Sequence, residues 1–254
     1  MAQFRDRHIV VSGAGTGIGR AVARRLASEG AKLTLLARRR GPLDAVAAEV
    51  GRAHVAACDI RVREEVDRAF GEAVAAQGPL FALIACSGAG GANEGGEDDR
   101  FEELVATNLT GTYWCARAAE RHLEDGPEAR HVILVASILA RIGVPGYTGY
   151  CASKAGLLGL ARSLAAELAA RNVQVNALCP GWVDTDMAWS GLAGIAEATG
   201  VTPEEAYVEA MCAVPLGRMS RPEDVAGTVA WLLSEDARGV TGQAIDQNNG
   251  AWMG

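Results

Sequence analysis

The chain alternates short, almost wholly apolar runs with longer stretches in which apolar residues recur every three or four positions. The runs His8–Ser12, Lys32–Ala37, His54–Cys58, Phe81–Ala85, His131–Ala136, Val173–Leu178 and Ala244–Gln247 predict β-strands. Several are nearly continuous in apolar residues, as strands covered on both faces must be. Between them, Ile18, Val22, Leu26 and Glu29 mark a helix that stops at Gly30. Further helices are predicted over Val62–Gln77, Arg100–Leu123, Gly149–Arg171 and Pro222–Ser234. This order predicts an α/β fold, a single doubly wound parallel sheet of Rossmann type flanked by helices on both faces. No linker, low-complexity tract or internal repeat interrupts it, so residues 1–254 read as one domain. The glycine-rich stretch Gly88–Gly96 follows a strand end and reads as a functional loop. The one long insertion, 184–214, contains Met187, Trp189, Leu192, Ile195, Tyr207 and Met211 and reads as a helical flap over the active site.

Composition narrows the classes of partner. Hydrophobic residues make up 49% of the 254, enough for a core on both faces of a sheet. Aromatics at 5% argue against a stacking surface for single-stranded nucleic acid, and a net charge of −7 argues against DNA or an anionic membrane. No signal-peptide pattern precedes Ile9, and no apolar run approaches the ~20 residues needed to span a bilayer. The six cysteines form no CxxC pair and show no zinc-ligand spacing, so they read as reduced thiols in a cytoplasmic protein with no metal site.

Chemistry enters at two places. Gly13, Gly17 and Gly19 form a G-x-x-x-G-x-G turn directly after the first strand and before a helix. Glycines let the backbone turn sharply and approach a pyrophosphate, and the helix start offers free N–H groups and positive dipole charge. A dinucleotide site is the expectation. At the end of the second strand an acid would hydrogen-bond the ribose 2′-hydroxyl of NAD, and an arginine would accommodate the 2′-phosphate of NADP. Here Ala37 is followed by Arg38, Arg39 and Arg40, which favours NADP(H), with Arg38 as reader and NAD(H) as the alternative. Asp59, after the third strand, either accepts from the adenine amino group with Ile60 packing on the ring, or caps the start of its loop.

The second place is the helix carrying Tyr150 and Lys154. Four residues apart, they share a face. A tyrosine of pKa near ~10 is a poor acid–base catalyst at neutral pH, and a nearby ammonium lowers that pKa. Ser137 lies just past the fifth strand, where strand C-termini face the ligand crevice of such sheets. Taken singly, a Tyr/Lys helix pair reads as surface decoration and a serine after a strand as a turn residue.

Together these residues resemble the short-chain dehydrogenase/reductase family. The resemblance is carried by Gly13–Gly19 (including Thr16 and Ile18), Asp59, Asn108, Ser137, the run Tyr150-Cys151-Ala152-Ser153-Lys154, Asn176, and Pro180-Gly181-Trp182-Val183-Asp184-Thr185. Arg218–Ala226 and Val240–Gln243 extend it along nearly the whole chain. It implies Tyr150 as the acid in reduction and the base in oxidation, and Ser137 as the group that orients the carbonyl. Lys154 would bind the nicotinamide ribose and tune Tyr150. Asn108 would hold a water that relays protons from Lys154 to solvent. Val183 and Thr185 would contact the carboxamide, beside Pro180 and Gly181. One motif departs. Where the family has Asn-Asn-Ala-Gly, this chain has Ala85-Cys86-Ser87-Gly88, so backbone contacts at Gly88 survive while the asparagine bonds that brace the strand do not. The resemblance also implies a homotetramer in which the fourth and fifth long helices, the fourth being the one that carries Asn108, pair between subunits.

The expected pocket walls are Gly88–Asn93, Ile138–Tyr147 and the flap, mostly apolar with Arg141 and Tyr147 as exceptions. They predict a hydrophobic ketone or secondary alcohol as substrate. The resemblance adds 3-oxoacyl or polyketide reduction, but Glu120–His131 is mixed in sign and offers no basic patch for a phosphopantetheine carrier. The alternatives are an NAD-dependent alcohol or 3-hydroxyacyl dehydrogenase and, in another class, a dinucleotide-binding sensor or scaffold without turnover. An epimerase that keeps its cofactor is not separated from these by any residue.

Overall fold

The computed structural model describes residues 3–93 and 95–254; Met1, Ala2 and Glu94, the last within the Gly88–Gly96 loop, lie outside the described residues. Seven strands are hydrogen-bonded in parallel: β1 (His8–Ser12), β2 (Lys32–Ala37), β3 (Ala53–Ala57), β4 (Ala82–Ala85), β5 (Arg130–Val135), β6 (Val173–Pro180) and β7 (Ala244–Gln247). Their order is β3-β2-β1-β4-β5-β6-β7. The chain reverses its direction of travel between β1 and β4, and the crevice outside the carboxyl ends of those strands is where ligands bind in open sheets of this kind.

Strand side chains alternate between two cores. Val10 joins α3 (Arg63–Gln77), α5 (Gly111–His122) and α6 (Thr148–Leu168) on one face, around Phe70, Cys115 and Leu157. Ile9 and Val11 join α1 (Gly17–Ser28), α2 (Arg40–Val50) and α9 (Pro222–Leu232) on the other, around Val22, Leu43 and Val229. Each fully buried Leu, Ile or Phe contributes ~1.5–3 kcal/mol, and these two layers make the sheet a rigid base for its loops.

Two features differ from expectation, and the insertion is helical as expected. The helix α2 carries only Leu43 and Val46 as buried residues, and its Gly41-Pro42 start looks like a turn in sequence. Proline is tolerated there because a first-turn N–H has no helical partner. The expected helix over 100–123 is divided into α4 (Phe101–Val105), a π turn (Ala106–Thr110) and α5. The extra residue of the π turn accommodates Asn108, whose side chain is held from outside the helix, as described below. The insertion resolves into α7 (Asp186–Thr199) and α8 (Pro203–Cys212). These pack a small core of Leu192, Ala196, Ala206 and Met211, with Trp189 and Tyr207 stacked 5.6 Å apart. Thr202 and Glu205 close a reciprocal capping box at the start of α8.

Candidate active site

The glycine turn closes on itself and on β4. Gly13 has φ of +67°, and a Cβ on it would lie 2.7 Å from the backbone nitrogen of Ser87. A Cβ on Gly19 would lie 2.2 Å from the Gly13 carbonyl oxygen. Only glycines fit, so the start of α1 presses directly onto the turn. Thr16 stands at the N-cap in extended conformation without its side chain capping the helix. Gly17 faces Thr185, whose Cγ2 would be 3.2 Å from a Cβ there, so Thr185 and Val183 after β6 lie across from the turn. Gly181 packs on Asn248, and its N–H donates to the Gln247 carbonyl at 3.1 Å. This cradle of close-packed backbone and a helix start suits a pyrophosphate. Gly19→Ala is expected to weaken binding of a reduced nicotinamide dinucleotide by about 5–150-fold, the equivalent of the ~1–3 kcal/mol typical of overpacking, because the turn must open. Titration of nicotinamide fluorescence checks it, with unchanged affinity as the contrary result.

The proton-handling residues converge on the same edge. Lys154 is 5% exposed, and its Nζ donates to the Val135 carbonyl at 2.8 Å. Nζ lies 5.7 Å from the Tyr150 ring centroid and would be 3.4 Å from a Cβ on Gly88. Burial lowers the Lys154 pKa to about 8, which leaves an ammonium at neutral pH. Tyr150 is partly exposed, and burial raises its pKa, opposed by the Ser137 hydroxyl. This corrects the expectation that the ammonium by itself makes the phenol more acidic: around Tyr150 desolvation dominates. Ser137 is 9% exposed, and its Oγ accepts from the Leu139 N–H at 3.1 Å.

Asn108 is fully buried. Its Oδ1 accepts from the Ala89 N–H at 2.7 Å, while Nδ2 donates to the Ala89 carbonyl and to Ser153 Oγ, both at 3.0 Å. Both amide hydrogens are therefore committed to tying the Gly88–Ala89 loop to α6, a bracing role the sequence did not suggest.

On the adenosine side Arg38 is exposed and close enough to lower the pKa of Asp59, though Arg61 does so more strongly. Asp59 caps its own loop, accepting from the Arg61 N–H at 3.0 Å, and its carboxylate is clasped by the Arg61 guanidinium at 2.6 Å. The spacing Asp-x-Arg was the available signal for that clasp. Ile60 is 4% exposed and packs on Gly111, so its side chain belongs to the core. The Ala85-Cys86-Ser87-Gly88 departure is offset in part. Ser12 Oγ accepts from the Ser87 N–H and the Ser12 carbonyl from the Cys86 N–H, both at 3.2 Å. The Cys86 thiol is pushed up to about 12 by burial and stays neutral. Arg141, counted among the polar pocket residues, pairs with Asp246 at 3.0 Å and lies 4.8 Å from the Trp252 ring centroid.

A turn that cradles a dinucleotide, beside a buried Lys and a Tyr at the strand ends, defines a nucleotide-dependent oxidoreductase site. The chain belongs to the short-chain dehydrogenase/reductase family. Residues 13–251 match the family model described as enoyl-(acyl carrier protein) reductase. The chain is 34% identical to the 3-oxoacyl-[acyl-carrier-protein] reductase MabA of Mycobacterium tuberculosis, covering 99% of this chain and 95% of the relative. It is 31% identical to the human (3R)-3-hydroxyacyl-CoA dehydrogenase, covering 99% and 97%. Among solved structures, an actinorhodin polyketide ketoreductase variant with NADPH superposes with a TM-score of 0.90 at 31% identity, covering 99% and 98%. The protein is therefore an oxidoreductase acting on keto or hydroxy groups, of a family that binds NAD(P). Among the described residues, no helix is long and apolar enough to cross a membrane.

Proposed function

We propose that this protein reduces a hydrophobic ketone to a secondary alcohol with NADPH, Tyr150 delivering the proton. The observation that carries this reading is the convergence of Tyr150, buried Lys154 and Ser137 beside Gly88, one residue beyond the Ser87 that packs on the glycine turn. Bound nicotinamide supplies the hydride. Gly13, Thr16, Gly17, Ile18 and Gly19 hold its pyrophosphate side, with Asp59 and Ile60 near the adenine and Gly88, Pro180, Gly181, Val183 and Thr185 along the nicotinamide half. Ser137 orients the substrate oxygen. A phenol's ordinary pKa is near ~10, so Tyr150 holds its proton at neutral pH and can donate it to the substrate oxygen. Lys154, still an ammonium, offers donors to the ribose hydroxyls and stabilises the phenolate as it forms. Asn108 braces the loop and holds the relay to solvent. With Arg141 occupied by Asp246, the pocket walls are more apolar than the sequence alone indicated, and the flap core adds apolar surface. A homotetramer through α5 and α6 belongs to the same reading.

The test is absorbance at the reduced-nicotinamide band with a panel of cyclic and 3-oxoacyl thioester ketones, run with NADPH and NADH. Binding of NADPH without turnover of any ketone would return the protein to the sensor reading. Arg38→Asp is expected to lower the ratio of kcat/KM for NADPH over NADH by about 10–100-fold, the value of a charge-assisted phosphate contact of ~1.5–3 kcal/mol. An unchanged ratio removes Arg38 as the reader.

A further inference from the structure

Asn93 sits in the glycine-rich loop, at the end of the expected pocket wall Gly88-Ala89-Gly90-Gly91-Ala92-Asn93. It is 6% exposed and fully engaged. Its backbone N–H donates to the Gly146 carbonyl at 2.8 Å. Its side-chain Oδ1 accepts from the Gly149 N–H at 2.7 Å. Its Nδ2 donates to Thr148 Oγ1 at 2.9 Å and to Asp99 Oδ1 at 3.0 Å. That same Asp99 oxygen accepts from the Phe101 N–H at 2.9 Å.

These bonds join two helix starts. Gly149 lies in the first turn of α6, directly before Tyr150 and five residues before Lys154. Phe101 opens α4, which runs into the π turn carrying Asn108. First-turn N–H groups have no partner within their own helix, and here one amide–carboxylate pair satisfies one from each. The helices are in close contact at this point. A Cβ on Gly149 would lie 3.1 Å from Phe101 Cα, 3.1 Å from Leu104 Cδ1 and 3.2 Å from Asn93 Oδ1. A rotation of the α6 start would therefore move Tyr150 first and would be resisted by Asn93.

We propose that Asn93 is a positioning residue for the reaction: through Gly149, Thr148 and Asp99 it locks the start of α6 against α4 and so aims the Tyr150 hydroxyl. The inference rests on Tyr150 being the proton donor. A misplacement of about 1 Å at such a group costs on the order of 10²-fold in rate, so a modest loosening is readable. Both polar atoms of the amide are engaged, Nδ2 in part with the Asp99 carboxylate, which makes its geometry exacting.

The experiment uses the full chain, NADPH, and 2-tetralone and acetoacetyl-CoA as ketones. The variants are Asn93→Ala, Asn93→Asp and the exchanged pair Asn93→Asp/Asp99→Asn. The exchanged pair restores the pattern: the new carboxylate accepts from Gly149 and from the amide at 99, whose oxygen accepts from Phe101. Asn93→Asp alone sets two carboxylates against each other. The expected result is a fall in kcat of at least about tenfold for both single variants, with NADPH affinity within about twofold and a shifted pH profile of kcat. The exchanged pair is expected to return kcat to within about threefold of the parent. A folded Asn93→Ala with parental kcat and pH profile overturns the proposal, as does a folded exchanged pair that recovers nothing. If Asn93→Ala does not fold, Thr148→Val removes one of its partners at the surface, and an unchanged kcat there is equally fatal. Tyr150→Phe in the same assay separates the two readings: its retained turnover overturns both, whereas its loss beside an intact Asn93→Ala overturns only this one.

Discussion

Tyr150→Phe is expected to lower kcat for ketone reduction by about 10²–10⁴-fold, the usual worth of a general acid, while NADPH binds as in the parent. The substitution removes one oxygen and keeps the ring. The ring's place 5.7 Å from Lys154 Nζ is retained, and the ammonium keeps its bond to the Val135 carbonyl. Nothing in the glycine turn depends on the hydroxyl, so the loss should fall on the chemical step. Stopped-flow single turnover with NADPH, together with a fluorescence titration of NADPH binding, separates the two. Turnover within a few-fold of the parent would mean that the proton comes from elsewhere.

Lys154→Met is expected to remove most turnover without destabilising the chain. In the parent, burial lowers the Lys154 pKa from 10.5 to about 8. A lysine with a lowered folded-state pKa costs stability wherever it must be charged. The cost, about 3 kcal/mol, applies below pH 8, shrinks between 8 and 10.5 as the unfolded chain alone holds the proton, and is absent above. Methionine removes that cost and fills a similar volume, against about 1 kcal/mol for leaving the Val135 carbonyl without its donor. The thermal midpoint at pH 7 should therefore hold or rise. The Lys154 share of the parent's rise in stability from pH 8 to 10.5 should vanish in the variant. A variant that loses several degrees at pH 7 would show that the ammonium stabilises the fold, contrary to this reading.

These two expectations show how the site divides between sequence and structure. The pairing of Tyr150 with Lys154 follows from helical spacing and was legible at once. The balance of forces on them was not. The sequence suggested that the ammonium makes the phenol more acidic, but folding buries Lys154 and partly covers Tyr150, and desolvation is the largest influence on each. Asn108 behaves likewise. The resemblance marked it, yet only the π turn brings its amide to Ala89 and Ser153. Asn93 was invisible because its partners Gly146, Thr148 and Gly149 lie more than fifty residues away along the chain. The pairing of Arg141 was invisible for the same reason: its carboxylate partner, Asp246, belongs to the last strand.

The chain by itself determined the parallel sheet, the glycine turn and the Tyr–Lys face, because each depends on periodicity or on residues within one turn of each other. Tertiary packing decided which polar groups are desolvated, which are already paired and which helix starts are tied together. Those outcomes depend on the distance and dielectric between groups remote in sequence, which folding alone creates.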